Sequence, residues 1–203
     1  MKLGDLLTSL PGVASLYAAR RRVFSPAQCR RLVPELDLTG QTTPAGIAHL
    51  CDELDELDAV SLLDQSFYMR HQLLRDSDAM GMANSLEIRV PFLDNEFARA
   101  AWNAGREARD GKQLFARALG DLLPAGSVSR PKRGFTMPFR NWMSGPLRAS
   151  VGGSIGGLPG VFDRQFAERL WRAFLAEPDV VGWSRPWSLF CLASYMDRHH
   201  LTD

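Results

Sequence analysis

Cysteine is scarce. Cys29, Cys51 and Cys191 are the three in 203 residues, too few and too far apart for a disulfide framework. No CxxC pair occurs, and His49, His71, His199 and His200 have no partner at HExxH spacing. The common zinc signatures are therefore excluded, and no metal ligands are expected. Long apolar runs are missing too. The opening stretch MKLGDLLTSLPGVASLYAAR is interrupted by Asp5, so neither a secretory leader nor a membrane span is expected, and the expected compartment is the cytoplasm. Nor does one sign of charge dominate: 24 Lys and Arg face 23 Asp and Glu, for a net charge of +1. Such a balance gives no field for nucleic acid or an anionic membrane. The basic clusters at Arg20, Arg21, Arg22, Arg30 and Arg31 lack interleaved aromatics, and a nucleic-acid partner is not expected.

What is present is helical periodicity. In HLCDELDELDAV, Leu50, Leu54 and Leu57 share one face among carboxylates. SLLDQSFYMRHQLLRD repeats Leu63, Phe67 and Leu74 beside Leu62, Met69 and Leu73, with Ser61 and Asp64 resembling a cap and first turn. The small residues and methionines of DAMGMANSLE suit close packing near a bend. IRVPFL is short and closed by Pro91, which predicts an extended segment or turn. LDNEFARAAWNAG restarts a helix with Asp94 as its cap and Gly105 as its end.

GKQLFARALGDLLP predicts another helix, SRPKRGFTMPF a loop, and NWMSGPLRAS at most a short helix broken by Gly145 and Pro146. VGGSIGGLPG, residues 151–160, has neither the strand nor the GKS or GKT of a phosphate loop and reads as a flexible linker. FDRQFAERLWRAFL places Phe162, Phe166, Leu170 and Phe174 four residues apart, an amphipathic helix. WSRPWSLFCLASYMDRHH predicts a last helix, capped by Ser184 and apolar over most of its girth. Nowhere do strands and helices alternate as a parallel sheet requires.

Two clusters carry candidate chemistry. Glu87 and Arg89 stand inside an apolar run, as a local ion pair holding the turn before Pro91 or as a carboxylate that binds or deprotonates an amine. In SRPKRGF, Pro131 and Gly134 frame Arg130, Lys132 and Arg133. The loop is equally natural as a basic surface turn and as a holder of polyphosphate that stabilises charge on a transferring group.

At these residues LLRDSDAMGMANSLEIRVPFLDNEF closely resembles the synthetase-domain signature of glutamine-dependent asparagine synthetases: an Asp, a Ser-Met pair, then SLE-x-RVPFLD. The matching positions are Asp78, Met82 and Ser85 through Asp94, followed by Gly111 and Lys112, then Arg130, Pro131, Lys132, Gly134, Phe135 and Pro138 in family order. The resemblance implies a mainly α chain. It would be the helical C-terminal half of an adenine-nucleotide α-hydrolase-like (PP-loop ATP pyrophosphatase) synthetase domain, without the nucleotide-binding parallel sheet. It implies ATP and Mg2+ as cofactors, with aspartate activated as a β-aspartyl adenylate and amidated by glutamine-derived ammonia. Glu87 takes the role of the residue beside the incoming amine, and Lys132 that of the lysine at the α-phosphate and pyrophosphate. Arg130 and Lys112 join Lys132 on the nucleotide.

The departures define the rest of the expectation. The family's SGG-x-DS loop, its G-x-DE-L-F-x-GY segment and its cysteine after the initiator methionine are not found; Lys2 stands at that last position, and Gly81 replaces the serine before the methionine. One partial domain is expected: a helical segment at 1–59, the motif region at 60–150, the linker at 151–160 and a helical hairpin at 161–203. It would be a truncated or split piece, inactive alone, completed by a partner or upstream segment carrying the nucleotide half. The alternative is a non-catalytic helical remnant or adaptor.

Overall fold

The structure is a computed structural model and describes residues 12–35, 45–105, 113–124, 126–127, 134 and 136–201. Among these residues all regular structure is helical and no strand occurs, as the mainly α reading requires. In chain order the helices are α1 (Val13–Arg21), α2 (Pro26–Leu32), α3 (Ala45–Glu53) and α4 (Glu56–Leu63), then a π-helical stretch (Asp64–Leu73) and α5 (Leu74–Ala83). A 3-10 turn (Pro91–Leu93), α6 (Asn95–Asn103), α7 (Gln113–Leu119) and a second 3-10 turn (Gly120–Leu122) follow. The last group is α8 (Phe139–Ser144), α9 (Arg148–Gly156), α10 (Arg164–Ala176), α11 (Pro178–Val181) and α12 (Ser184–Arg198). The chain forms two compact units, one from residues up to Met69 together with those from Met137 on, the other Arg70–Thr136.

The first unit has a real core. In α10 the four-residue spacing holds: Phe166 and Phe174 are buried, with Ala167 and Trp171 between them, and Asp163 caps the helix through the Phe166 N–H at 2.8 Å. Against this face pack Met143, Val151, Ile155, Leu158 and Leu189. Each large apolar side chain so enclosed contributes about 1.5–3 kcal/mol relative to exposure. Leu32 of α2 joins the same core, and its carbonyl accepts the Asp163 N–H at 2.8 Å. Phe139 stacks on Trp183 with ring centroids 4.3 Å apart and meets Trp187 at 4.7 Å.

Residues 151–160 are not a flexible linker. Most of them belong to α9, and Val151 and Ile155, one turn apart, are fully buried. Tertiary packing of that pair outweighs the weak helix propensity of the glycines around it. Gly152 also has a positive role, since a Cβ there would lie 3.0 Å from the Trp171 indole nitrogen. Two cap expectations change as well. Ser184 is the first residue of α12 rather than its cap, which is Trp183 with no side-chain bond. Ser61 lies inside α4, whose cap is Asp55, accepting from the N–H groups of Leu57 and Asp58. Because Asp55 restarts the helix, Leu50, Leu54 and Leu57 do not form one buried stripe: Leu50 and Leu57 are exposed, and Cys51, Ala59 and Leu63 make the small core instead. Burial, and after it the neighbouring Asp52 charge, pushes the Cys51 thiol up from its usual pKa.

The last helix, expected as a core helix or as one made to lie against something larger, buries one side only. Pro186, Leu189 and Ala193 are buried, but Leu192 and Tyr195 are exposed. At the start of the π-helical stretch, Asp64 accepts from the Tyr17 hydroxyl at 2.7 Å and from the Arg21 guanidinium at 2.6 Å. That guanidinium lies 4.1 Å from the Tyr68 ring centroid. Side chains from α1 thus tie down the point where the helix widens.

Candidate functional site

The second unit presents the motif residues. Helix α5 ends at Ala83, and the chain reverses through Ser85, whose φ of 56° is left-handed. The reversal is closed by Leu86 N–H donating to the Gly81 carbonyl at 2.9 Å and by the Asn84 side-chain amide donating to the Met80 carbonyl at 2.9 Å. Only a residue without a side chain suits position 81: a Cβ would fall 2.8 Å from the Leu86 carbonyl oxygen and 3.0 Å from the Ile88 terminal methyl. The expected bend is present, and Gly81 makes it tight.

Residues 86–90 then run without regular structure to Val90, which is extended, and Pro91 opens the 3-10 turn. Asp94 caps α6 as expected, accepting from Glu96 and Phe97 N–H at 3.0 and 2.9 Å, and Gly105 follows the helix end with a left-handed φ of 81°. Phe92 meets Phe97 edge-on, with centroids 5.2 Å apart.

Within this segment Glu87 and Arg89 form the local ion pair, Oε1 to Nη2 at 2.9 Å, with side chains 70% and 83% exposed. Such a pair in water contributes less than about 1 kcal/mol and leaves the carboxylate open to a ligand. Ile88 turns the other way, over Gly81. Of residues 70–105, Gly81 alone is buried, and only Leu74 and Ala101 are half-buried. Leu86, Ile88, Phe92, Leu93 and Phe97 all stand exposed, as do Met80 and Met82. The sequence leads to the same expectation, since faces bearing Val90 and Phe92 that lack the parallel sheet they would pack on should expose an apolar patch; Val90 and Phe92 are 37% and 53% exposed.

Lys132, Arg130 and Lys112 lie outside the described residues. The structure therefore places Glu87 of the four site residues, and beside it Arg89. Among the described residues no group of His, Cys, Asp and Glu could hold a metal ion, and no strand offers a nucleotide platform. The described residues alone do not fit a magnesium-nucleotide site. A shallow cavity of about 450 Å³ in the first unit is lined by Gly153, Ser154, Gly157, Ala193, Ser194, Asp197 and Arg198; none of the motif residues contributes to it. No described helix is long and apolar enough to cross a membrane.

Comparison with known proteins agrees with the motif. A family model described as asparagine synthase matches residues 6–197. A Mycobacterium tuberculosis protein, provisionally assigned as a glutamine-hydrolysing asparagine synthetase, is 34% identical over 133 residues, covering 63% of this chain and 20% of that protein; its Mycobacterium bovis counterpart gives the same values. Glutamine-hydrolysing asparagine synthetase 1 of Bacillus subtilis is 33% identical over 100 residues, covering 47% of this chain and 16% of its own length. The chain thus spans a fifth or less of the length of these relatives. No solved structure matches significantly.

Proposed function

The chain belongs to the asparagine synthase family, and on that premise we propose that its second unit is one wall of an amide-forming site. The nucleotide-binding wall comes from a partner protein or from a segment outside this chain. The supporting observation is the coreless surface of residues 70–105, where Gly81 alone is buried, against Leu86 and Ile88, while Leu86, Ile88 and Phe92 themselves stand exposed. Apolar surface of this extent stabilises nothing while it faces water, and covering it is what favours assembly.

In the proposed site Glu87 faces the acyl acceptor. As nitrogen bonds to the activated carboxyl carbon, the bond from that carbon to the phosphate oxygen breaks and AMP leaves; the nitrogen must lose a proton, and a carboxylate within reach takes it or orients the amine before attack. Closing the site would desolvate the Glu87–Arg89 pair and strengthen it, fixing the direction of the carboxylate. Lys132, with Arg130 and Lys112, would face the phosphates; that assignment is supported by motif order. ATP and Mg2+ would be held by the missing wall, and activation of aspartate belongs there. The described residues supply acceptor positioning only.

The test is reconstitution. The purified chain is assayed for aspartate-dependent ATP–pyrophosphate exchange and for asparagine formation, alone and with a separately produced segment carrying SGG-x-DS. Alone it should do neither. Reconstituted, it should do both, with Glu87→Gln sparing exchange while abolishing amide formation and Lys132→Ala abolishing both. Exchange by the chain alone, or full amide formation with Glu87→Gln, would overturn the reading.

A further inference from the structure

Helices α9 and α12 pack side by side in the first unit, and the shallow cavity of about 450 Å³ lies between their C-terminal turns. Its floor is nearly bare backbone. Ala193 is buried, a Cβ at Gly153 would meet nothing within 4 Å, and one at Gly157 would touch only the Gly153 and Ser154 carbonyl oxygens. The rim is polar: Ser154 on one side, Ser194, Asp197 and Arg198 on the other. Among the described residues these four side chains make no hydrogen bond or ion pair. Elsewhere in this unit Asp64, Asp163, Asp179 and Arg140 are each held by a partner.

Charge decides what such a cavity admits. Each helix C-terminus carries about half a negative charge, Asp197 adds a carboxylate, and Arg198 supplies the cation. A phosphate would meet Asp197 and the negative ends of both dipoles. A simple cation would leave Arg198 unanswered. An apolar molecule would find glycine and serine where it needs aliphatic walls.

We propose that this cavity binds a small zwitterion of the α-amino acid class. Its ammonium lies against Asp197 and the helix ends, its carboxylate against Arg198, and the Ser154 and Ser194 hydroxyls complete the hydrogen bonding. Asp197 and Arg198 are consecutive, which suits a ligand whose two charges flank one carbon. The motif residues line none of this cavity, so the inference goes beyond the amide-forming reading and does not rest on it.

Titration of the full chain with glycine tests it, followed at the amide resonances of Gly153, Ser154, Gly157 and Ser194. Glycine should give saturable shifts confined to these turns at about millimolar concentration. Methylamine and acetate each carry one of the two charges and should bind at least about fivefold more weakly. Asp197→Asn and Arg198→Gln should each cost glycine a similar factor. Gly153→Leu, with open space for its Cβ, should fill the cavity and abolish the shifts while the far-UV spectrum stays intact. Resonances unmoved up to about 100 mM glycine, methylamine or acetate binding as well as glycine, or shifts that Gly153→Leu leaves in place would each overturn the proposal. Exchange and amide formation test the other reading, so either can fail alone.

Discussion

Two adjacent glycines of α9 should respond in opposite directions to the same added methyl group. At Gly153 a Cβ meets nothing within 4 Å, whereas at Gly152 it lies 3.0 Å from the Trp171 indole nitrogen. Replacing an interior helical glycine by alanine stabilises by roughly 0.5–1 kcal/mol through backbone entropy. Gly153→Ala should show that gain in full. At Gly152 the same gain is opposed by overpacking, which costs about 1–3 kcal/mol in a filled core. Trp171 is buried and stacked on Phe174 with centroids 5.7 Å apart, so its ring has little room to move. The net for Gly152→Ala is a loss of about 1 kcal/mol, separating the two variants by about 2 kcal/mol. With a urea slope of about 1–3 kcal/mol per molar, their midpoints should differ by roughly 1 M in far-UV circular dichroism. Equal shifts in one direction would refute the argument that Gly152 exists to admit the indole.

Three further outcomes follow. Tyr17 has its pKa raised from 10.0 by burial, then by its hydrogen bond to Asp64. A group whose folded pKa is raised contributes stability that is present below the unfolded value and lost as pH rises through the folded one. Stability should therefore decline above about pH 10, and Tyr17→Phe should flatten that decline in unfolding measured across alkaline pH; an unchanged slope would rule Tyr17 out as its source. Asp94→Ala removes the acceptor of Glu96 and Phe97 N–H and should cost α6 about 1 kcal/mol, seen as faster amide exchange at Ala98 and Arg99; unaltered rates would refute the cap. Gly81→Ser restores the side chain that the family signature carries and drives its Cβ against the Leu86 carbonyl. The Leu86 amide resonance should shift as its 2.9 Å bond to Gly81 opens, and an unmoved resonance would show that the bend can yield.

Local sequence signals account for the local structure. Asp94 before an amphipathic run, Pro91 after a β-branched residue and the four-residue spacing of Phe162, Phe166, Leu170 and Phe174 each act within one turn of chain. Each appears where expected, save that Phe162 precedes α10. Errors arose where a distant partner decides. Glycines at 152, 153, 156 and 157 masked the Val151–Ile155 pair, because the value of that pair comes from α10 and α12. Asp64 read as part of a first turn, yet its carboxylate answers to Tyr17 and Arg21, 47 and 43 residues away. For the site, the motif located Glu87 and the turn that carries it. Exposure around Glu87 was legible at Val90 and Phe92 from the absence of the sheet those faces would pack on, and the structure extends it to Leu86 and Ile88.

The tryptophans are distributed as unevenly as the cores. Trp142, Trp171, Trp183 and Trp187 belong to the first unit, Trp171 buried in its core and the others packed around Phe139. Trp102 is the one tryptophan of the second unit's sequence and is 45% exposed. Ultraviolet emission from this chain is therefore mainly a signal from the first unit, nearly blind to the motif region. When emission and ellipticity are followed together through a denaturant series, the two curves should separate, and the gap between them reports the unfolding of the second unit apart from the first.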